Sequence, residues 1–349
     1  MNGRERIDAI INNQPVDRVP FAVLDAGAWV ANEADLTFRQ MLELPDAGAS
    51  YVVEYFDKIE ADMVSAFSAF AVAFLDAIGC KAEIDGKGGT IDVHKCINDP
   101  ETEIPMLNKS QIRKKFEDSW IMQRLLLQTR EIKKLIGDEK LINVCLAAPF
   151  TTAGIMVGAQ ELMMMLVDEE SEKLVEQLLD YATEVSVIAY EMAQEAGCDI
   201  AWFGEPVSSG AMISQGMFEE SAMDAIQSGY DRLKDKYKYI FMHMCGNSGA
   251  RVASIKDMGF QAFSVDAPVD MEKAAIDCDG KMVMIGNIGP ASPLMSGTED
   301  TIKAAAQEAI DKSKKAGGRL ILCPGCDVPV GTKIENLRAA LDVAKANTL

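Results

Sequence analysis

Short apolar runs alternate with amphipathic stretches along this chain from Val19 to its end. Eight of the runs have the length and β-branched or aromatic content of buried strands: 19–24, 62–66, 141–146, 199–203, 239–243, 261–265, 282–285 and 319–323. Between them the apolar positions recur at steps of three and four. Leu174, Leu178, Tyr181, Val185, Ile188 and Met192 form one such stripe, which predicts a helix capped by Asp168 and ended by Gly197. Phe116, Trp120, Met122, Leu126 and Ile132 predict a second long helix closed by Gly137, and 334–346 a last one. The start of the chain, 1–18, is predicted as an amphipathic helical extension. Residues 80–99, with Gly86-Lys-Gly-Gly89 at their centre, are predicted as a small β-hairpin insertion.

Strands that each give way to helical material predict a parallel sheet with helical crossovers. Eight of them in one chain predict an α/β fold, a single (β/α)8 TIM barrel spanning 1–349. The competing open doubly wound sheet announces itself with a glycine-rich turn after its first strand. Leu24-Asp-Ala-Gly-Ala-Trp29 does not match that turn, and no Walker phosphate loop occurs. No linker, low-complexity tract or short repeat divides the chain.

Composition narrows the function. With 349 residues, 48% of them apolar, the chain can bury a large core. A formal charge of −20 excludes the basic footprint that nucleic acid requires. No apolar run is as long as the roughly 18 residues of a membrane span. The N-terminus carries no signal-peptide core, so a cytoplasmic protein with no membrane partner is expected. The eight cysteines do not form the pattern of a disulfide framework and are expected to be mostly small core residues.

Two short motifs stand apart. In Phe241-Met-His-Met-Cys245, His243 and Cys245 fall on the same face of a strand and can grip one ion. A third soft ligand from Cys323 or Cys326, after the last strand, would complete a His/Cys/Cys set. That set suits zinc and leaves one position open for chemistry. Cys323 and Cys326 also have the spacing of a redox dithiol. A redox dithiol opens a helix, however, and here Asp327-Val-Pro-Val-Gly-Thr332 intervenes first.

Other chemically able residues cluster at predicted strand ends, where barrel enzymes keep their active sites. Glu205 is a candidate fourth ligand or general base. Asp266 and Asn287 are candidate catalytic residues that would orient ligands or substrate. Asp25 is a further strand-end candidate. Met163-Met-Met165 is expected to be helical core, and His94, beside Cys96, to lie at the surface.

Further residues carry a family resemblance across almost the whole chain. Arg4-Glu-Arg-Ile-Asp8, Pro15-Val-Asp-Arg-Val-Pro20, Pro149-Phe-Thr-Thr152, Glu195-Ala-Gly-Cys-Asp199, His243-Met-Cys245-Gly246, Gly286-Asn-Ile-Gly-Pro290 and Gly325-Cys326 with Glu335-Asn336 resemble the uroporphyrinogen decarboxylase superfamily. The decarboxylases proper carry an arginine-rich segment after the first strand. Here no arginine occurs between Arg18 and Arg39, and a carboxylate-crowded substrate would find little to hold it.

The chain is more similar to the corrinoid-dependent methyltransferases, whose mark is His-x-Cys followed much later by Cys. That resemblance makes Cys326 the third ligand and leaves Cys323 inside its strand. It also implies a catalytic zinc acting as Lewis acid on the substrate heteroatom, and a corrinoid carried by a separate partner protein that docks over the barrel mouth. The expected reaction is demethylation of an aryl methyl ether, with Asp25, Trp29 and Phe203, and also Phe263, lining the substrate pocket. The alternatives are methyl transfer from methylcobalamin to coenzyme M, and a uroporphyrinogen-type decarboxylation.

Overall fold

The computed structural model describes residues 1–348. Seven strands, β1 (Met63–Ala66), β2 (Leu141–Ala147), β3 (Ile200–Gly204), β4 (Tyr239–Met244), β5 (Ala262–Val265), β6 (Val283–Ile288) and β7 (Leu320–Pro324), form one sheet in sequence order. All six neighbouring pairs are parallel. Helices follow the strands, among them Trp120–Ile136, Glu172–Ala196, Met223–Leu233, Met271–Cys278, Glu299–Lys315 and Ile334–Lys345.

The expected first strand, 19–24, is not regular, yet it occupies the eighth place. Leu322 donates its amide to Pro20 O and Ala22 to Leu322 O, which ties the segment to β7. On the other side Asp62 N donates to Phe21 O, and Ser65 Oγ to Leu24 O, which ties it to β1. The barrel is therefore closed by a stave that makes few ladder bonds. Pro20 has no amide hydrogen to give, and Phe21 N–H goes to the Asp62 carboxylate at 2.7 Å instead of to a neighbouring carbonyl.

Alternation along the strands separates two apolar layers. Leu141 and Cys145 of β2, Ile200 and Trp202 of β3, Tyr239 and Phe241 of β4, and Ile321 and Cys323 of β7 pack together inside the barrel. Their neighbours Ile142, Val144, Ala201, Phe203, Ile240, Met242 and Phe263 pack outward with the helices.

The N-terminal helix, Gly3–Ile11, begins with a reciprocal capping box between Asn2 and Glu5. Its Ile7 and Ile10 join the interior cluster and stopper the N-terminal end of the barrel. Arg6 fastens the plug. It is buried and donates to Asp62 and Asp17, and Arg319 donates to the carbonyls of Ile10 and Ile11.

Three local expectations are corrected. The single long helix through Phe116 and Ile132 is two helices, Ile112–Asp118 and Trp120–Ile136, because Ser119 adopts an extended conformation and caps the second through Met122 N. Asp168 caps a 3-10 turn, Glu169–Ser171, that leads into Glu172–Ala196; Gly197 ends that helix at φ 119°. The insertion at 80–99 is an antiparallel excursion held by one bridge, Ala82 to Val93, rather than a regular hairpin. Its arms are tied by Glu83 N to Asp92 O and His94 N to Lys81 O.

Candidate metal centre

β4 carries the site because its inward face changes character along its length. Tyr239 and Phe241 belong to the apolar interior, and His243 is the next inward residue. The register places His243 between Gly204 of β3 and Ser264 of β5. Gly204 leaves one flank of the imidazole without a side chain. Ser264 occupies the other, its Oγ 3.1 Å from His243 Nδ1. That contact fixes the ring so that Nε2 faces the mouth.

Cys245 lies just past the strand, its Sγ 3.1 Å from His243 Nε2. Gly246 then turns the chain at φ 68°, a left-handed conformation in which glycine carries no Cβ penalty. Its amide donates to Asp266 Oδ2 at 2.9 Å.

Cys326 arrives from β7 across a turn that only glycine allows. A Cβ on Gly325 would stand 2.8 Å from both Ala267 N and Asp266 Oδ1, so a side chain there would push the β7 end away from the β5 loop. Cys326 Sγ lies 3.4 Å from Cys245 Sγ and 3.9 Å from His243 Nε2.

The three ligand atoms lie within 4.8 Å of one another, and Glu205 is not in the group. Zinc bonds of about 2.3 Å to sulfur and about 2.0 Å to nitrogen, in a tetrahedron, place two sulfurs about 3.8 Å apart and a sulfur and nitrogen about 3.5 Å apart. The two sulfur–nitrogen distances, 3.1 and 3.9 Å, bracket their value and the sulfur–sulfur distance of 3.4 Å falls a few tenths short, so a small shift of the thiols fits the donor set to one zinc ion with a position to spare. Electrostatics point the same way. The Cys326 thiol is pushed up by its contact with Cys245 and then by burial, with His243 pulling it down. Burial works against a charged His243, but Cys326, Asp327 and Asp266 outweigh it and raise its pKa. A divalent cation at this point would relieve the crowding of the two thiols by holding both as thiolates.

The other candidates divide into supports and bystanders. Glu205 is fully buried, and its two oxygens accept from Phe150 N, Thr151 N and Thr151 Oγ1 at the start of the helix Pro149–Val157. Those donors take up the carboxylate, and Glu205, the expected fourth ligand, stands outside the His243, Cys245 and Cys326 group. Burial raises the Glu205 carboxyl to about 7, and the three hydrogen bonds only partly oppose the rise. Asp266 supports the turn after Cys245. Asn287 Nδ2 donates to the carbonyls of Asp266 and Val269 and so holds the loop that carries Asp266.

Asp25 is buried beside the mouth, where its carboxylate accepts from Gly27 N, Ser68 Oγ and Ala69 N. Cys323 is sealed within the interior cluster, as the family resemblance implied.

The aromatic lining expected for the substrate pocket is not there. Phe203 faces the helices, stacked on Tyr190 at 5.0 Å and edge-on to Phe260. Phe263 lies in the same outer layer. Trp29 is buried against Tyr55 and donates Nε1–H to Thr332 O, which anchors the loop after Cys326. A cavity of about 780 Å³ between 165–184 and 220–232 is lined by none of these residues and lies on the helical layer.

Ser264 and Thr151 were missed as supporting residues. Ser264 could have been found by carrying the inward parity of His243 across to the next strand. Asp327, next to Cys326, was passed over too. Its carboxyl is raised by the surrounding protein, by Asp25 and by Cys326, although solvent reaches its side chain and tempers the rise.

Comparison with known proteins is consistent with this geometry. The family model described as uroporphyrinogen decarboxylase (URO-D) matches residues 2–347. The methylcobamide:CoM methyltransferase MtbA of Methanosarcina mazei is 24% identical over 358 aligned positions, covering 98% of this chain and 97% of that protein. A methylated-thiol--coenzyme M methyltransferase of the same species is 28% identical over 327 positions, covering 90% and 84%. The solved structure of a methyltransferase from Methanosarcina mazei superimposes with a TM-score of 0.84 at 22% identity, covering 99% of both chains.

Proposed function

We propose, from the premise that this chain belongs to the uroporphyrinogen decarboxylase family, that it is a zinc-dependent methyltransferase exchanging a methyl group between a small thiol and a corrinoid protein. The observation that carries this reading is the His243, Cys245 and Cys326 triad with the spacing of a three-ligand zinc site. The relatives named above act, by their names, on coenzyme M and methylated thiols, and this favours a thiol as the small substrate. An aryl methyl ether, the substrate expected from the sequence, loses its support once Phe203 and Phe263 face the helices. A polycarboxylate substrate for decarboxylation is also disfavoured, because the two arginines nearest the 19–24 segment in the chain are already engaged. Arg18 is committed to Asp62 and Val19 O, and Arg39 to Asp85.

In this mechanism His243, Cys245 and Cys326 would hold the ion, and zinc supplies a Lewis acid that keeps a substrate thiol as thiolate at neutral pH. The remaining work belongs to the chain. Ser264 holds the tilt of His243. The Asp266 carboxylate, through Gly246 N–H, keeps Cys245 at the strand end. Trp202 and Phe241 form an apolar floor, edge to face at 5.5 Å, which shuts water out from below, so a docking partner would approach from the mouth.

The test is to load the protein with zinc, supply methylcobalamin, and compare coenzyme M and simple thiols as acceptors. In parallel, cob(I)alamin is supplied with methoxyaromatics. Loss of methylcobalamin absorbance with thiols is expected. Methylcobalamin formation from aryl methyl ethers, without thiol activity, would overturn the substrate assignment, and protein that binds no zinc would overturn the mechanism.

A further inference from the structure

A second pair of thiols lies outside this site, at the base of the insertion. Cys80 and Cys96 stand 16 positions apart in the chain with their sulfurs 2.8 Å apart. The scaffold holds them there from both sides. Cys80 N donates to Leu75 O and Cys96 N to Met156 O, while the arms beyond them are paired by His94 N to Lys81 O and the Ala82 to Val93 bridge. Gly79, at φ 107°, turns the chain into Cys80, and a Cβ placed on it would only just touch Cys96 Cβ at 3.6 Å. No other described function uses these thiols, and they are not part of the metal-ligand group.

We propose that Cys80 and Cys96 form a disulfide site, oxidised by a low-molecular-weight disulfide, that locks the base of the insertion. Their environments differ in the way such an exchange requires. Cys96 is half-buried and lines a cavity of about 210 Å³ with Met156, Tyr181 and Lys115, so a reagent can reach it. The Cys80 contact lowers its thiol pKa, with burial and Glu103 opposing and Lys115 assisting. Cys80 is buried, and its thiol is raised by the same contact and by desolvation.

Cys96 thiolate attacks one sulfur of the reagent RSSR, the S–S bond breaks, and RS⁻ leaves. Cys80 gives up its proton and attacks Cys96 Sγ, and the second RS⁻ leaves. Two protein thiols are oxidised by two electrons, and RSSR is reduced to two RSH that carry both protons. The tip of the insertion lies close to the loop after Cys326, where a Cβ on Gly88 would stand 3.1 Å from Val330 Cγ2.

The test uses the zinc-loaded full chain, so that Cys245 and Cys326 are shielded, incubated with excess oxidised glutathione, alkylated and digested with trypsin. Cleavage at Lys81 and Lys95 places the two cysteines in separate fragments. The expected result is a Cys80–Cys96 linked fragment that reduction splits, together with a higher midpoint of heat unfolding for the oxidised protein. Cys80→Ser is expected to leave glutathione on Cys96 and to abolish the rise in midpoint. Recovery of both cysteines as alkylated thiols from the wild-type chain, or of glutathione on Cys96 beside a free Cys80, would overturn the proposal. The wild-type fragment map decides this without any variant.

Discussion

Replacing Glu205 by Gln separates a structural carboxylate from a metal ligand. Burial lifts this carboxyl from its ordinary 4.5 to about 7. The folded chain therefore binds more protons than the unfolded chain between those values, and stability falls as pH rises. The contribution is present in full below pH about 4.5 and is lost as pH rises through about 7. At 1.36 kcal/mol per pH unit the rise amounts to about 3.4 kcal/mol, of which about 2.5 kcal/mol is lost between pH 5 and pH 8.

The Gln side chain keeps one acceptor oxygen for the helix start but turns an NH₂ toward a donor, a loss of about 1–3 kcal/mol that does not vary with pH. Urea unfolding of both proteins, stepped from pH 5 to pH 8, measures the difference directly. The wild type is expected to lose about 2.5 kcal/mol relative to Glu205→Gln across the range. Zinc stoichiometry is expected to be unchanged, because Phe150 and Thr151 already occupy both carboxylate oxygens. A flat difference across pH would refute the buried-acid argument. A variant that binds no zinc would show that Glu205 ligates after all.

Three further outcomes follow from the same geometry. Cys326→Ala is expected to lose zinc, read by elemental analysis, and with it methyl transfer, while keeping its unfolding midpoint within a few degrees, since the residue stands outside the core strands. Ser264→Ala removes the partner of His243 Nδ1 and is expected to weaken zinc binding about 10–100-fold in a chelator competition. Arg6→Ala leaves Asp62 buried with Arg18 as its remaining partner and is expected to cost about 3 kcal/mol in urea unfolding, with no effect on zinc.

Much of this molecule was legible because barrel strands are buried on both sides and appear in the sequence as continuous apolar runs. What those runs hide is which face looks inward. Ile200-Ala-Trp-Phe-Gly204 is apolar throughout, so nothing in it distinguishes Trp202 from Phe203. The pairing of Gly204 with His243 decides the matter: residues two apart share a face, Trp202 joins the interior, and Phe203 turns to the helices. The eighth stave was found by composition and missed as irregular because its amides are absent at Pro20 or diverted to Asp62 at Phe21. Ser119 was overlooked because the apolar periodicity runs on through it, whereas its side chain caps the next helix.

Strand parity alone could not separate Cys323 from Cys326, because an inward-facing Cys323 is as consistent with ligation as Cys326 is. Depth separates them. Cys323 pairs with Asn287 within the ladder and is wholly buried in the apolar interior, where desolvation pushes its thiol up and the Leu24 backbone only partly opposes the rise. Cys326 has left the strand through Pro324 and Gly325, and the absence of a side chain at Gly325 is what lets the β7 end settle against Asp266 and Ala267. Asp266 holds Gly246, which follows Cys245, so the same close approach that seats Cys326 also fixes its partner across the mouth. The two sulfurs stand close enough to share one ion because two loops meet at a single carboxylate. A substitution at Gly325 is therefore expected to act on the metal through geometry while leaving all three ligands in the sequence.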